Sequence, residues 1–411
     1  MRLVIYSHDT FGLGNIRRTF VICKHLNHSI AGLSTLIVTG SPLLHRFRIP
    51  DGVDYIKLPC LKRSETGDLA VAHVKSVEVR DIVAVRRDTL SSIMRSFAPD
   101  LLFVDKKPTG LAGELIPSIE DLKFRHPNAK VVLLLRDILD SSLQTVNLWR
   151  QQRHYEFLAN YYDAILVLGE RTLFDVCAEY RFPSSVRALV KYCGYIARER
   201  SVTSRDEMRR RLGVSDSEQL VVVTTGGGED GYDLIHNYLS GLQYLPPENR
   251  PRSLVITGPE LDASKQIEIH RLASQHGRVQ IIEFTDDMMA CLDAADVVVS
   301  MGGYNTIGEI LTLRKRAIIV PRVKPVSEQW IRADRMAARG LFRTIHPDRI
   351  TPEILMKEVL AELLAHRVRP FQTTTINMDA LAGITAFMNH WRLTTELTQH
   401  AQVGLSMGAE A

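Results

Sequence analysis

The sequence predicts an α/β protein built from two doubly wound parallel sheets. Two observations lead to this prediction: short apolar runs rich in β-branched residues recur along the chain, and segments of helical length separate them. In the first half the runs cover residues 3–6, 35–38, 55–58, 101–104, 131–135, 165–168 and 188–190. In the second half they cover residues 220–224, 254–257, 279–284, 297–300, 317–320 and 341–345. Strands that are apolar throughout are typical of parallel sheets covered by helices on both faces.

The domain organisation follows from the length and from one polar stretch. A chain of 411 residues has room for two to three domains at roughly 150 residues each. The charged segment 192–206 lies between the two series of strands and indicates a linker near residue 195. We therefore expect a first domain at 1–195, a second at 196–370, a helical segment at 371–397 and a flexible tail at 398–411.

The composition is that of a folded globular protein, with 45% hydrophobic and 24% charged residues. Disordered and fibrous proteins are excluded on this ground. The net charge of +4 is too small to indicate nucleic-acid binding, and neither aromatic stacking motifs nor a concentrated basic run is evident. No nucleic-acid partner is expected.

The five cysteines are scattered, without a CxxC pair, and are interpreted as buried reduced thiols of a cytoplasmic protein. The N-terminal residues read as a strand rather than as a signal peptide. The longest apolar runs, such as 131–135, are far too short for a membrane-spanning helix. Peripheral contact with a membrane stays open.

A glycine loop follows the first predicted strand and opens a helix. Gly12 and Gly14 let backbone amides approach an anion at the helix N-terminus. The loop is a poor dinucleotide fingerprint, because the third glycine and the acidic residue after the second strand are both lacking. Its polar residues are His8, Asp9, Asn15, Arg17 and Arg18. Asp9 also fits a simple turn cap.

Two glycine loops follow predicted strands in the second half. Gly226, Gly227 and Gly228 suit either a phosphate or a flexible surface turn. In MGGYNTIGEIL, the backbone amides of residues 303–306 can surround a phosphate at the positive end of a helix. Glu309, one turn further on, can accept hydrogen bonds from a sugar diol or serve as an ordinary helix charge.

A third loop leads to Ser327, Glu328 and Gln329 at the start of another helix. Glu328 and Gln329 suit the reading of sugar hydroxyls, and Ser327 suits a helix N-cap. Two doubly wound domains in series are expected to form a cleft lined by the carboxyl ends of both sets of strands. Ligands of open α/β sheets bind at such ends.

These motifs resemble glycosyltransferase family 28, whose members have the GT-B fold of two Rossmann-like domains facing each other across a cleft. The matching segments are GLGN at 12–15, TTGGGEDG at 224–231, EFTDDM at 283–288, MGGYNTIGEIL at 301–311 and PVSEQWIRADRM at 325–336. The family includes the peptidoglycan N-acetylglucosaminyltransferase that forms lipid II. The overall resemblance is strongest to a bacterial group of predicted glycosyltransferases whose first motif reads like SHDTFGLG.

The resemblance implies that the C-terminal domain binds a nucleotide diphosphate sugar and that the N-terminal domain holds the acceptor. The residues implied in the donor site are Gly226, Gly227, Gly228, Thr285, Met288, Gly302, Gly303, Tyr304, Asn305, Thr306, Glu309, Glu328 and Gln329. By this resemblance the backbone at Thr285 contacts the base and Glu309 the ribose, while Glu328 and Gln329 contact the transferred sugar. The family also implies inversion, no cofactor and no bound metal, in agreement with a sequence that lacks a D-x-D motif.

One position departs from the family pattern. Asn15 stands where the family usually has a histidine, and an amide cannot act as a general base. His8 and Asp9 are therefore the predicted catalytic residues. Near the acceptor we expect Gly12, Gly14, Asn15, Arg18, Asp105, Lys106 and Asp137. Lys106 suits an anionic acceptor.

The expected reaction is transfer of a sugar from a donor, with UDP favoured, to an acceptor that is either lipid-linked or a small metabolite. Two alternatives keep the fold and the donor site. One is a nucleotide-sugar 2-epimerase or hydrolase, which the loss of the usual histidine favours. The other is a nucleotide-sugar-binding protein without catalytic activity. A cytoplasmic enzyme, peripheral at the inner face of the membrane if the acceptor is lipid-linked, is expected.

Overall fold

The computed structural model describes residues 1–7, 14–42, 44, 48–63, 69–368 and 376–407, without the side chains of 63, 367, 368 and 394–407. The chain divides into two compact units. Unit 1 contains Met1–Asp137, Leu148–Ile196 and Asn377–Ala411. Unit 2 contains Ile138–Asn147 and Ala197–Ile376. Both units are therefore discontinuous along the chain.

Unit 1 is built on a parallel sheet. The strands of this unit are β1 (Arg2–Ser7), β2 (Ser34–Thr39), β3 (Val53–Lys57), β4 (Leu61–Arg63), β5 (Leu69–Val71), β6 (Leu101–Asp105), β7 (Lys130–Arg136), β8 (Ala164–Leu168) and β9 (Val190–Tyr192). Seven of them form one sheet in the order β3-β2-β1-β6-β7-β8-β9, and every neighbouring pair is parallel. The strand order reverses between β1 and β6, which makes the sheet doubly wound.

Unit 2 repeats this design. Its strands are β10 (Leu220–Thr224), β11 (Arg252–Ile256), β12 (Val279–Ile282), β13 (Val297–Ser300), β14 (Ala317–Ile319) and β15 (Arg343–Thr344). They pair in parallel in the order β12-β11-β10-β13-β14-β15. The reversal lies between β10 and β13, so the carboxyl ends of these two strands define the ligand-binding crevice expected of such a sheet. The predicted α/β class with two doubly wound sheets is confirmed.

Helices connect the strands. They are α1 (Gly14–Ser29), α2 (Val79–Phe97), α3 (Ile116–Arg125), α4 (Ser142–Gln151), α5 (His154–Tyr161), α6 (Val176–Glu179), α7 (Ser184–Arg187), α8 (Arg205–Arg211), α9 (Tyr232–Gly241), α10 (Ala263–Ala273), α11 (Met288–Ala294), α12 (Tyr304–Leu313), α13 (Glu328–Ala338), α14 (Pro352–Val368) and α15 (Ala380–Met407). The core of unit 2 shows how they pack. Val221 and Val223 of β10 lie in one apolar cluster with Ile235 of α9 and with Leu355 and Val359 of α14.

A buried polar network crosses unit 1 beneath the sheet edge. Tyr6 of β1 donates to Glu114 Oε1 at 2.5 Å, and Arg86 of α2 donates to both Glu114 oxygens at 2.6 Å. Burial, and then the Glu114 carboxylate, raise the pKa of Tyr6 well above its usual range. Arg86 and Glu114 form a buried ion pair, and removing either of them would leave the charge of the other uncompensated. The network therefore fixes α2 against β1.

Apart from shifts of one or two residues at the ends of other strands, four differences from the predicted elements stand out. The run 188–190 becomes a strand two residues later, because residues 184–187 form α7. Only Arg343–Thr344 of the run 341–345 is a strand. The antiparallel pair β4 and β5 has no counterpart in the predicted strands, since its segments are only three residues long. Helix α15 continues to Met407, past residue 397 where the flexible tail was expected to begin.

All five cysteines are described and buried, and none of them forms a disulfide. Within the described part of the chain, no helix is both long enough and apolar enough to cross a membrane.

His154, the first residue of α5, makes the stability of unit 1 depend on pH. It is 4% exposed, it packs edge-on against Trp149, and its Nδ1 has no hydrogen-bond partner among the described residues. Burial, and then the charge of Lys107, lower the pKa of His154 to about 4. The unfolded chain takes up this proton near pH 6.5, well before the folded protein does.

His154 is therefore expected to contribute stability that is fully present above about pH 6.5 and lost as the pH falls to about 4. Replacing it by Gln should remove up to about 3 kcal/mol of this pH dependence. Urea unfolding of wild type and His154→Gln between pH 4 and 7.5 measures the difference, with the exposed His126→Gln as control. Parallel stability curves for wild type and His154→Gln would contradict this role.

Candidate functional site

The start of α12 lies at the carboxyl end of β13, in the crevice of unit 2. Gly303 is the N-cap of α12, with φ −62° and ψ 140°, and as a glycine it has no side chain to cap the helix. A Cβ on Gly303 would meet no described atom within 4 Å. The positive end of the α12 dipole therefore lies beside a position with room for a ligand at Gly303. This arrangement suits an anion such as a phosphate.

Arg332 of α13 holds the turn before α12 in place. Its side chain is completely buried, donates to the Gly302 carbonyl at 2.8 Å and pairs with Glu328 at 2.6 Å. Its guanidinium also lies over the ring of Tyr304, 5.6 Å from the centroid. A Cβ on Gly302 would lie 3.0 Å from the backbone oxygen of Gln329, so glycine allows the close approach.

The predicted sugar-reading residues lie at the start of α13 and already have protein partners. Glu328 is buried and uses Oε2 for Arg332. Gln329 is buried as well, and its Oε1 accepts from the Arg322 backbone N–H at 3.3 Å. These contacts fix the positions of both side chains. The other polar group of the Gln329 side chain is its NH2 group, which can donate hydrogen bonds.

Asn305 and Glu309 lie one turn apart on α12. Arg198 donates to Asn305 Oδ1, and since a guanidinium has no acceptor, the Asn305 NH2 group must lie on the other side of the amide. Glu309 is 2% exposed, and Thr306 is half-buried. A ligand at the helix start would meet the donors of Asn305 first and would reach Glu309 only deeper in the crevice.

The glycine run after β10 has a packing explanation. Gly226 and Gly228 have φ of +73° and +101°, and a Cβ on Gly228 would lie 2.5 Å from the Thr257 oxygen. Gly258 after β11 has φ +84°, and its Cβ would lie 2.4 Å from the Gly227 oxygen. The loops after β10 and β11 thus pack backbone to backbone, which requires glycine on both sides.

Thr285 and Met288, expected near the base, lie at the start of α11. Thr285 Oγ1 accepts from the Asp287 N–H at 3.1 Å, and Asp287 in turn caps α11 by accepting from the Ala290 N–H at 3.1 Å. Thr285 and Met288 are half-buried. The segment is therefore a fixed turn that exposes part of both residues.

In unit 1 the predicted residues meet where β1 and β6 end. Arg18 of α1 donates to both oxygens of Asp105, at 2.6 and 2.7 Å, and both residues are 2% exposed. Arg18 also donates to Asn15 Oδ1 at 3.2 Å, so the Asn15 NH2 group lies on the side away from this pair. Asn15 is consequently fixed as a donor.

Lys106 has φ +65°, and the Lys107 N–H donates to the Asp105 carbonyl across it at 2.7 Å. This three-residue turn is a strained conformation, of a kind that clusters at functional sites. Asp105 is paired with Arg18, and two lysines, Lys106 and Lys107, follow it at the end of β6. An anion at this edge would be stabilised by them.

Asp137 is buried at the end of β7. Its carboxylate accepts a hydrogen bond from the Tyr195 hydroxyl at 2.9 Å. A Cβ on Gly169 would lie 2.6 Å from the Cβ of Asp137. Gly14 is the first residue of α1. His8, Asp9 and Gly12 lie outside the described residues.

The sequence analysis missed two residues that shape the site. Arg198 lies in the charged segment that was interpreted as a linker, and no sequence signal connects it to Asn305. Arg332 follows Glu328 by four residues, the spacing of an ion pair on one helix face, and this signal was available. Within the described ranges, no group of three or more His, Cys, Asp and Glu side chains is placed to hold a metal ion.

Two Rossmann-like domains in one chain define the GT-B fold of glycosyltransferases and related enzymes, and solved structures agree with it. The MurG protein of Acinetobacter baumannii superimposes with a TM-score of 0.56 at 14% identity, over 95% of this chain and 99% of that chain. Within this fold class, residues 221–386 match the sequence model of the glycosyltransferase family 28 C-terminal domain. The resemblance is confirmed for this part of the chain.

Two curated relatives are similar over about two fifths of their own length. An uncharacterized glycosyltransferase of Methanopyrus kandleri is 25% identical over 160 residues, which cover 38% of this chain and 41% of the relative. The UDP-N-acetylglucosamine–N-acetylmuramyl-(pentapeptide) pyrophosphoryl-undecaprenol N-acetylglucosamine transferase of Alkaliphilus oremlandii is 28% identical over 148 residues, 35% and 39% of the two chains. The chain thus spans about two fifths of the length of the curated relatives it matches.

The backbone contact between the loops after β10 and β11 gives a stability prediction. Gly258→Ala should destabilise the protein by about 3 kcal/mol, because its Cβ clashes with the Gly227 oxygen at a positive φ. Gly303→Ala is the matched control and should cost about 1 kcal/mol or less, since its Cβ enters open space. Urea unfolding measures both. Equal costs for the two substitutions would contradict the packing explanation.

Proposed function

We propose that the protein is a glycosyltransferase that moves a sugar from a nucleotide diphosphate donor, UDP-linked, to an acceptor held by unit 1. Inversion at the anomeric carbon and catalysis without a metal or cofactor belong to this proposal. The observation that carries it is the N-terminus of α12 at the carboxyl end of β13, with room for a ligand beside Gly303, within a segment that matches the family 28 C-terminal domain. The name of the Alkaliphilus relative supports UDP as the nucleotide.

The donor would bind at the carboxyl ends of β10 and β13. The diphosphate would accept hydrogen bonds from the backbone amides of residues 303–306 and from the NH2 group of Asn305, which Arg198 orients. The segment at Thr285 would contact the base, and Glu309 the ribose. Glu328 and Gln329, fixed at the start of α13, would contact the sugar.

The reaction proposed is a single in-line displacement. The acceptor oxygen bonds to the anomeric carbon as the bond from that carbon to the diphosphate oxygen breaks. The negative charge that develops on the diphosphate is stabilised by the helix dipole and amides of α12. His8 or Asp9 would take the acceptor proton.

The acceptor site would lie at the strained turn of Lys106. The donors of Asn15 and the positive charge of Lys106 and Lys107 favour an acceptor with an anionic group, either lipid-linked or a small metabolite. Five buried, unbridged cysteines support a cytoplasmic location. A lipid-linked acceptor would bring the protein to the inner face of the membrane as a peripheral enzyme.

A nucleotide-sugar 2-epimerase or hydrolase is the second candidate. The observation that favours it is Asn15, whose oxygen is occupied by Arg18 and which cannot accept a proton. In such an enzyme elimination, or attack by water, replaces transfer to an acceptor. UDP release from the donor without any acceptor would identify this reaction, whereas a transferase requires the acceptor.

The donor site is tested at Gly303. Gly303→Asp should weaken UDP binding at least ten-fold, because the carboxylate repels the diphosphate, yet it should preserve stability, since aspartate is a favourable N-cap. Gly303→Asn is the matched control: it has the same shape without the charge and should weaken binding less. Calorimetry with UDP, GDP, TDP and their sugars, together with melting temperatures, measures both. Wild-type affinity for UDP in Gly303→Asp would contradict the proposed site.

A further inference from the structure

The segment Ile138–Asn147 follows β7 of the first sheet in sequence, yet it belongs to unit 2. Three of its apolar residues, Ile138, Leu139 and Val146, are buried, and a fourth, Leu143, is exposed. A buried segment of this kind is held in one position by packing rather than exposed as a free connection. Polar groups on it are therefore placed accurately within unit 2.

Asp140 is the polar residue that this segment brings to α13. Its Oδ1 accepts hydrogen bonds from the Ser327 backbone N–H at 3.0 Å and from the Ser327 hydroxyl at 2.9 Å. The Ser141 N–H donates to the same oxygen at 2.7 Å, which holds the carboxylate in place. Asp140 thus makes two contacts with one residue that is 187 positions later in the chain.

Ser327 is the N-cap of α13, but its hydroxyl does not cap its own helix. Asp140 takes over this function, because it accepts the Ser327 N–H and places a negative charge at the positive end of the helix dipole. Charge-assisted hydrogen bonds are about twice as strong as neutral ones. The first turn of α13 is consequently fixed from outside the helix.

That first turn carries Glu328 and Gln329, the residues that the proposed function assigns to the sugar. Their side chains are anchored to Arg332 and to the Arg322 backbone on the side of β13 and β14. Asp140 anchors the preceding residue from a different part of the chain. Without the contact from Asp140, the start of α13 would keep its contact with the turn at Gly302, but the position of Ser327 would no longer be fixed.

We infer that Asp140 is a positioning residue for the sugar of the donor: by holding Ser327 it sets where Glu328 and Gln329 meet the sugar hydroxyls. This inference rests on the proposed function of the α13 start. A segment from the first half of the sequence thus acquires a role in donor recognition by residues of the second half. The nucleotide portion of the donor is not involved, because α12 and α11 provide its proposed contacts.

The test compares the affinity for a nucleotide sugar with the affinity for the nucleotide alone. Asp140→Ala should weaken binding of UDP-N-acetylglucosamine or UDP-glucose, whichever the wild type prefers, by about ten-fold, and leave UDP binding within two-fold. Asp140→Asn retains an acceptor oxygen for Ser327 and should show a smaller loss. Ser327→Ala removes only the hydroxyl contact and should also lose less than Asp140→Ala.

A purely structural role would change both affinities together. Asp262→Ala serves as the matched control, because Asp262 caps α10 of the same unit through the Ser264 and Lys265 amides. It should lower the melting temperature without changing the ratio of the two affinities. Hydrogen exchange of the Ser327 amide should accelerate in Asp140→Ala and not in Asp262→Ala.

Equal losses for UDP and for the UDP sugar in Asp140→Ala, or no loss for either, would overturn the inference while UDP binding by wild type leaves the donor site intact. Failure of the wild type to bind UDP would overturn the donor site and this inference together. A loss confined to the UDP sugar, partly restored in Asp140→Asn, supports the role of Asp140.

Discussion

The parallel arrangement of both sheets is the constraint on which the rest of the molecule depends. Parallel strands share one direction, so every strand ends at the same edge and every loop that follows a strand starts there. The order of strands then reverses once in each sheet, at β1 and β6 and at β10 and β13. Helices leave in opposite directions from these points, and polar groups can gather in the crevice between them. Both candidate sites lie at such a reversal.

Buried arginines give these crevices their detailed geometry. Arg18 and Arg332 are paired with carboxylates, at Asp105 and Glu328, which compensates the cost of burying the charge. A guanidinium can only donate hydrogen bonds, so each arginine binds an oxygen atom of the site. Arg18 binds Asn15 Oδ1 in unit 1, and Arg332 binds the Gly302 carbonyl in unit 2. The groups left to face a ligand are therefore donors. Donors suit the phosphate and carboxylate oxygens of anionic substrates.

Much of the fold was predictable because its signals are local. Apolar runs of three to six residues mark the strands of both sheets, and a strand that is buried on both faces is recognised from its own residues alone. The short pair β4 and β5 was beyond this reach, since its strands contain too few residues for a pattern. The run 341–345 predicted a longer strand than the two-residue β15. The end of α15 differs from expectation for another reason: its small polar residues are compatible with a helix but do not require one.

The sequence predicts the loops of the candidate site but not the residues that contact those loops. A double glycine before a helix identifies the α12 start from sequence, because few structural roles other than ligand approach require two glycines at that position. The glycine run at residues 226–228 shows the limit of the same reasoning, because its partner Gly258 lies in another loop. Asp140 and Arg198 act across long sequence separations, and spacing along the chain contains no trace of such pairs. Their roles depend on which segments the fold brings together.

The central claim is that the nucleotide diphosphate binds at the start of α12. A crystal structure of the protein grown with UDP tests it most directly. The account predicts diphosphate oxygens within hydrogen-bond distance of the backbone amides of residues 303–306, next to the Asn305 side chain. UDP bound elsewhere, with its diphosphate against the loop at residues 226–231 or in unit 1, would contradict it.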